Sequence, residues 1–408
     1  MKKFWDKWTE IALVKRILVG LILGAVLGIA VPQATGITIL GDVFVSALKA
    51  IAPLLVFFLV ISSLCNAGKS HGGVIKTVII LYMFSTVLAA VIAVFASMAF
   101  PVKMTLANAA TDTSAPQGIV EVLNNLLLNI VANPVSSLVN ANYVGILMWA
   151  VLLGLAFRVA DKMTKKVLTD VADGISMVVT WIINLAPFGI FGLVFNTVST
   201  NGLDIFTTYG RLLLLLVGCM LFIYFVTNPL LVYWCIRQNP YPLIFHCLKR
   251  SALTAFFTRS SAANIPVNMK VCEEMGLDRD TYSVTIPLGA TINMDGAAIT
   301  ITVMTMATAF TLGIHVDIPT AIILSLLAAL SACGASGVAG GSLLLIPMAC
   351  SLFGISDDIS MQVVAVGFII GVVQDSVETA LNSSSDLLLS ASAEFRRWRM
   401  EGKEIKFK

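Results

Sequence analysis

The run Ser331-Ala-Cys-Gly334-Ala-Ser336-Gly337-Val-Ala-Gly340-Gly341-Ser342 lies at the centre of an apolar segment spanning roughly 316–352. Glycine and serine at this density break a helix, in a setting where a spanning segment must be helical to satisfy its own backbone. Two further apolar segments flank it, at about 281–312 and 360–392, each long enough to cross a bilayer, which takes about 20 apolar residues. Between Arg279 and Arg396 there is no Lys or Arg. Cytoplasmic loops collect basic residues, so Lys270 with Arg279 at one end, and Arg396, Arg397 and Arg399 at the other, belong on the cytoplasmic side. Three segments join two ends on one side only if one of them enters and leaves by the same face. The broken middle segment is therefore a re-entrant hairpin. Irregular backbone at membrane depth survives where it is buried in protein or lines a wet cavity, so the hairpin predicts a binding site inside the membrane.

Composition fixes the broad class. Of 408 residues, 58% are hydrophobic and 12% charged, and the mean hydropathy is +0.93, which excludes an ordinary soluble domain. The formal net charge of +3 points to no nucleic-acid partner, because the basic residues sit in short loops and at the termini, where topology accounts for them. Seven cysteines (65, 219, 235, 247, 272, 333 and 350) show no CxxC spacing and read as small hydrophobes. Met1 to Arg16 reads as a cytoplasmic start leading into a retained helix.

In chain order, apolar segments are expected at about 17–31, 38–66 and 76–100, then a broken fourth element over 119–160, interrupted by Asn124, Asn125, Asn129 and Asn133-Pro134. The polar stretch 102–118 suits an outer loop, and Lys162, Lys165 and Lys166 an inner one. Segments at about 174–197 and 208–236 follow. The stretch 242–271, basic at both ends, reads as a second hairpin entering from inside, with Thr258-Arg259-Ser260-Ser261 at its centre. The expected fold is all-α integral membrane: eight transmembrane helices plus two opposed re-entrant hairpins, both termini cytoplasmic. It divides into a six-helix part (1–240), a core part (241–395) and a tail (396–408). A hairpin before a helix carrying Asn293-Met-Asp295, and an opposed hairpin before a helix carrying Asn382 and Asp386, form an inverted-repeat core. Such repeats with broken helices mark secondary transporters.

Asp295, Asp375, Glu378 and Asp386 fall inside the last apolar segments, where a carboxylate is costly and faces a partner, a cavity or an ion path. On a helix advancing about 100° per residue, Asp375, Glu378, Thr379, Asn382 and Asp386 share an arc of about 100°. Arg259 at the first hairpin tip is the one nearby cation for four acids. The remaining charge needs protons, metal cations or a substrate ammonium. Carboxylate, amide and carbonyl oxygens suit hard cations, and no His lies in these segments. Hairpin tips also offer helix N-terminal amides to an anionic group. The pattern fits an amino acid moved together with cations.

Four stretches carry a resemblance: Thr258-Arg-Ser-Ser261, Ile286-Pro-Leu-Gly-Ala-Thr-Ile-Asn-Met-Asp-Gly296, the Gly334–Ser342 tip, and Gln374-Asp375 through Asp386. Together they make the chain resemble the dicarboxylate/amino acid:cation symporter family, which includes the glutamate transporters, and within it the bacterial sodium/serine-threonine symporters. The resemblance covers nearly the whole chain. It implies an elevator-type homotrimer in the bacterial cytoplasmic (inner) membrane, with segments one, two, four and five as scaffold. Segments three, six, seven and eight and both hairpins would move as one unit. By resemblance Asp375 holds the substrate amine, and Asn382 and Thr379 are further substrate contacts. Arg259 is either a structural partner for Asp375 or a direct substrate contact. Ser260 and Ser261 close over the substrate, with Gly337 and Val338 opposite. Gly289, Asn293 and Asn382 carbonyls with Asp386 resemble one sodium site, and Thr291, Ala332, Cys333 and Ala335 carbonyls a second. Asp295 and Asn293 with Tyr82, Ser85 and Thr86 resemble a third.

Two departures bear on the substrate. Acidic-substrate members carry Arg where this chain has Glu378, and Thr where it has Ala297; both contact the side-chain carboxylate. A carboxylate facing Glu378 is repelled, whereas a hydroxyl can donate to it, which points to L-serine or L-threonine and keeps alanine as an alternative. Ala339 replaces a frequent proline with no consequence we can assign. Ser260, Ser261 and Ser336 also have a plainer reading as backbone-satisfying hydroxyls. An intramembrane hydrolase lacks the His it would need, a cation channel lacks reason for a closed amine site, and proton coupling through Glu378 remains an alternative to sodium.

Overall fold

The computed structural model describes residues 11–405 apart from 12, 67–72, 107–127, 129–130, 141, 203, 334 and 336–339. Among the described residues every regular element is helical. Helix α1 is Leu13–Ala30, α2 Thr38–Asn66 after a 3-10 turn at Thr35–Ile37, and α3 Gly73–Ala99. The broken fourth element contains α4 (Pro134–Val139) and α5 (Tyr143–Ala156). Two asparagines act as N-caps here, Asn133 from the expected interruptions and Asn142 beyond them. Asn133 Oδ1 accepts from the Val135 and Ser136 amides, and Asn142 Oδ1 from Gly145.

The next segment departs from expectation. A loop was expected over Lys162–Lys166 and a span at 174–197, but α6 runs Lys162–Asn184 and α7 Ala186–Asn201, with the break at Leu185. Asp161 starts α6 by accepting from the Thr164 amide at 2.7 Å, a bond that also holds its carboxyl below the usual range. The lysines lie in the first turns of an amphipathic helix that buries little of itself, so low hydropathy disguised a helix as a loop. Pro187 in the first turn of α7, lacking an N–H, fits the restart.

Asp204–Phe222 (α8) continues through a π-helical turn, Ile223–Thr227, into α9 (Asn228–Ile236). The stretch expected as the first hairpin gives α10 (Tyr241–Cys247), a π turn at Leu248–Ala252, α11 (Leu253–Thr258) and α12 (Ser261–Glu274). The segment expected as one helix over 281–312 is two, α13 (Arg279–Ile292) and α14 (Asp295–Thr311), parted at Asn293-Met294. The Gly/Ser-rich segment gives α15 (Ile318–Ala332), a 3-10 turn at Gly341–Leu345 and α16 (Ile346–Ser351). Last comes α17, Asp357–Met400, whose 44 residues span about 66 Å, roughly twice a hydrocarbon core of about 30 Å. By length and composition six described stretches can cross a membrane, so the chain is a multi-pass membrane protein.

The packing falls into two groups. Helix α1 lies along α7, and α2 packs against α5, α6 and α7. The other group centres on α17, which touches α8, α9, the first-hairpin helices, α13, α14 and α16, while α3 packs on α14 and α15. In the first group the close contact is made by backbone. A Cβ added at Gly20, Gly24 or Gly28 would stand 2.2, 2.6 and 3.0 Å from the carbonyl oxygens of Pro187, Phe191 and Phe195. Glycines four apart on one helix face let α1 sit directly on the α7 backbone, the small-residue packing typical of membrane helices.

Candidate substrate and cation site

Asp375, near the middle of α17, is where the Arg259 break after α11 and Gly340 of the Gly/Ser-rich segment converge. Arg259 Nε donates to its Oδ2 at 2.6 Å, and the Gly340 amide donates to its Oδ1 at 3.1 Å. All three groups are buried. Arg259 adopts φ 52°, left-handed backbone that is uncommon outside glycine, and it ends α11. Ser260 follows in extended backbone and its hydroxyl accepts from the Ala263 amide at 3.2 Å, capping α12. The Ser260 oxygen thus has a backbone role, while Ser261 is buried in the first turn of α12. Gly337 and Val338, assigned by sequence to the opposing tip, lie outside the described residues, as do Gly334, Ser336 and Ala339.

One turn further along α17, Glu378 is surrounded by neutral donors. Its Oε2 accepts from Thr300 Oγ1 at 2.6 Å, Ser342 Oγ at 2.9 Å and Gln374 Nε2. Helix α14 approaches closely here, since a Cβ on Gly296 would fall 2.9 Å from the Glu378 Cα. Ala297, the next residue, is fully buried. Thr379 turns its hydroxyl to the Asp375 carbonyl at 2.8 Å, and Asn382 Oδ1 accepts from the Gly296 amide at 2.7 Å. Asp375, Glu378, Thr379, Asn382 and Asp386 therefore form one buried polar stripe on an unbroken helix.

The helix break at Asn293-Met294 places the other carboxylates. Asn293 Nδ2 donates to Asp386 Oδ1 at 2.9 Å and to Ser385 Oγ at 2.9 Å, while its own Oδ1 is buried without a partner. A Cβ on Gly289 would meet Asp386 Oδ1 at 2.7 Å, so only glycine lets α13 come this close. Gly289, Asn293, Asn382 and Asp386 are thus brought together, with an orphaned acceptor among them. Asp295 forms a second focus, accepting from Ser85 Oγ at 2.7 Å and Thr86 Oγ1 at 3.1 Å. The Tyr82 hydroxyl goes elsewhere: it bonds Ser390 Oγ at 2.7 Å and donates to the Asp386 carbonyl at 2.9 Å. Tyr82 and the Asn293 side chain therefore belong with Asp386, and Ser85 and Thr86 with Asp295. At the third focus Cys333 Sγ reaches the Ile292 carbonyl at 3.6 Å, setting the end of α15 beside Thr291 at the end of α13. The Ala335 amide donates to the Ala332 carbonyl at 2.9 Å.

Among the described residues one ion pair, Arg259–Asp375, serves these four carboxylates, and the other three face only neutral donors. No three His, Cys, Asp or Glu cluster there as a metal group. One carboxylate at a time among amide, hydroxyl and carbonyl oxygens is a donor set for hard cations of low charge. Sequence reasoning missed the donors around Glu378. Gln374 stands four residues before it on one helix face, a local signal, but Thr300 and Ser342 arrive from distant segments. It also missed a buried network joining the first hairpin to α17. Asn264 Nδ2 donates to Ser251 Oγ (2.9 Å) and Ser383 Oγ (2.8 Å), and Asn268 Nδ2 to the Ser383 carbonyl (2.8 Å).

The chain is similar to known sequences over nearly its whole length. The profile of the sodium:dicarboxylate symporter family matches residues 13–394. A serine/threonine transporter SstT of Bifidobacterium adolescentis is 58% identical over 401 residues, covering 98% of this chain and 93% of the relative. The SstT of Streptococcus thermophilus is 55% identical over 98% of this chain and 100% of the relative. That of Streptococcus agalactiae is 58% identical, covering 97% and 98% respectively.

Proposed function

The chain belongs to the sodium:dicarboxylate symporter family, and on that premise we propose that it is a sodium-coupled symporter importing L-serine and L-threonine across the bacterial cytoplasmic membrane. The observation that carries the reading is Asp375, a buried carboxylate held between the two hairpins by Arg259 and the Gly340 amide. A substrate ammonium entering there shares Asp375 with Arg259 and is enclosed by both tips. The substrate carboxylate then faces the N-terminal amides of α12, with Ser260 and Ser261 at its first turn. The side chain faces Glu378 and Ala297. A second carboxylate is rejected there because it would meet a buried carboxyl group whose partners among the described residues are neutral donors, with no cation among them to take it. A hydroxyl finds a hydrogen-bonding surface instead. The names of the relatives favour the same substrates.

Sodium is cargo in this scheme. Asp386 with Asn293 and the Gly289 and Asn382 carbonyls holds one ion; the orphaned Asn293 Oδ1 and the close approach of α13 to Asp386 that Gly289 allows support it. Asp295 with Ser85 and Thr86 holds another, and the carbonyls of Thr291, Ala332, Cys333 and Ala335 frame a third. Filling these sites neutralises carboxylates that otherwise rest on neutral donors, so ion and substrate binding favour each other. Eight crossings with two opposed hairpins, both termini inside, a homotrimer and an elevator stroke complete the proposal. In it the α1, α2, α5, α6 and α7 group stays fixed while the α17-centred group moves.

Uptake of labelled serine into proteoliposomes tests the coupling. An inward sodium gradient should drive it, and equal potassium or proton gradients should not. Uptake driven by protons alone overturns the cation assignments.

A further inference from the structure

Where the last turns of α17 pass the end of α9, the arginines and lysines fall into two sets. One set is matched by acids. Arg397 faces Glu394 at 2.9 Å, Asp278 at 3.6 Å and Glu401 at 3.8 Å, Lys403 meets Glu401 at 2.7 Å, and Arg250 pairs with Glu274. The other set is Arg237, Arg396 and Arg399, none of which pairs with a carboxylate among the described residues. These three lie close together. Arg396 and Arg399, three apart on α17 and so neighbours on its surface, both act electrostatically on Cys235 near the end of α9. Arg237 ends α9 in left-handed backbone, at φ 57°. The Arg396 guanidinium lies over the Trp234 ring, 5.0 Å from its centroid. Around them the surface is aromatic: Trp234, Tyr241 and Phe245 are about half exposed, and the Tyr241 and Phe245 rings stand 6.3 Å apart. Exposed Trp and Tyr in a membrane protein mark the level of the lipid headgroups.

We propose that Arg237, Arg396 and Arg399, with Trp234 as platform, form a site for the phosphate of an anionic phospholipid, whose acyl chains lie along the exposed aromatic side of α9 and α10. The general bias of basic residues toward one face of the membrane accounts for their number, but not for their sorting into acid-paired and unpaired sets. Three unneutralised guanidiniums repel one another, and an anion between them removes that cost. Planar guanidinium forks match phosphate oxygens two at a time, and stacking on Trp234 holds one fork in place before the ligand arrives. The aromatic surroundings select a phosphate that carries hydrocarbon over one free in water. A lipid seated there ties the end of α9 to the end of α17. The site is remote from Asp375 and does not depend on the substrate reading.

The test titrates the purified full chain in detergent micelles with phosphatidylglycerol, phosphatidylcholine or inorganic phosphate, and counts bound lipid by native mass spectrometry. The wild type should retain phosphatidylglycerol in preference to phosphatidylcholine, and inorganic phosphate should not displace it. Arg396→Gln with Arg399→Gln should weaken phosphatidylglycerol binding on the order of thirtyfold, the effect of two basic residues at a membrane surface. Arg396→Lys with Arg399→Lys keeps both charges but neither the fork nor its planar stack, and should recover only part of that loss. Arg250→Gln, at an arginine already paired with Glu274, should bind as the wild type does. Equal retention of the two lipids, displacement by inorganic phosphate, or a glutamine pair that binds like the wild type would overturn the site. So would a lysine pair of wild-type affinity or an equal loss in Arg250→Gln, since either result reduces the binding to general surface charge. Should the glutamine pair fail to fold, the lysine pair and Arg250→Gln decide the matter by themselves.

Discussion

The seam between α1 and α7 and the seam between α17 and its neighbours are both buried helix contacts, built on opposite principles. Along α1, Gly20, Gly24 and Gly28 remove side chains so that two backbones touch. Without a hydrophobic drive between helices in lipid, such backbone contact is a strong source of cohesion, and it leaves no room for rearrangement. Along α17 the contact is made by side chains: Asp375 bonds Arg259, Glu378 and Asn382 bond α14, Ser383 bonds Asn264 of α12, and Asp386 bonds Asn293 at the α13–α14 break. Side-chain bonds of this kind, unlike backbone contact, can be exchanged one for another. The difference teaches where rigidity and chemistry are kept apart in this chain.

The comparison breaks most severely at the glycine seam. Gly24→Leu places a side chain where even a Cβ would stand 2.6 Å from the Phe191 carbonyl, so no folded, monodisperse protein should be recovered by size-exclusion chromatography. Next in size is Asp375→Asn, which should lower serine uptake at least roughly a hundredfold, since an unpaired buried charge costs about 3–5 kcal/mol. It also strands Arg259, so melting temperature should fall; the double change Arg259→Gln with Asp375→Asn should restore the melt but not the uptake. Smaller again, Glu378→Gln should let glutamate compete with serine, with a gain in glutamate affinity of roughly tenfold in competition assays. Smallest is Asp161→Ala. It removes the α6 cap and should show only as faster amide exchange at Thr164, with uptake unchanged.

Much of the site was legible because charge in an apolar run is conspicuous. The arc that gathered Asp375, Glu378, Thr379, Asn382 and Asp386 assumed one continuous helix, and α17 is continuous across all of them. A helix break falls at Arg259-Ser260, inside the stretch expected to form the first hairpin. The break at Asn293-Met294 was not legible. Pro287 sits inside α13, and the break itself carries no glycine or proline, so tertiary contact through Asn293 and Asp386 decides it. The start of α6 was hidden by its amphipathic composition. The glycine spacing on α1 was present in the sequence but reads as apolar filler until α7 is laid against it. Ser342 and Thr300 were invisible as partners of Glu378, since neither is near it in sequence.

The most direct measurement is a calorimetric serine titration of the purified protein with and without sodium, repeated on the Arg259→Gln/Asp375→Asn pair. The account predicts sodium-dependent serine binding by the wild type, and none by the pair variant, although that variant melts at the wild-type temperature. Serine binding by the pair variant at wild-type affinity would contradict the placement of the substrate amine at Asp375.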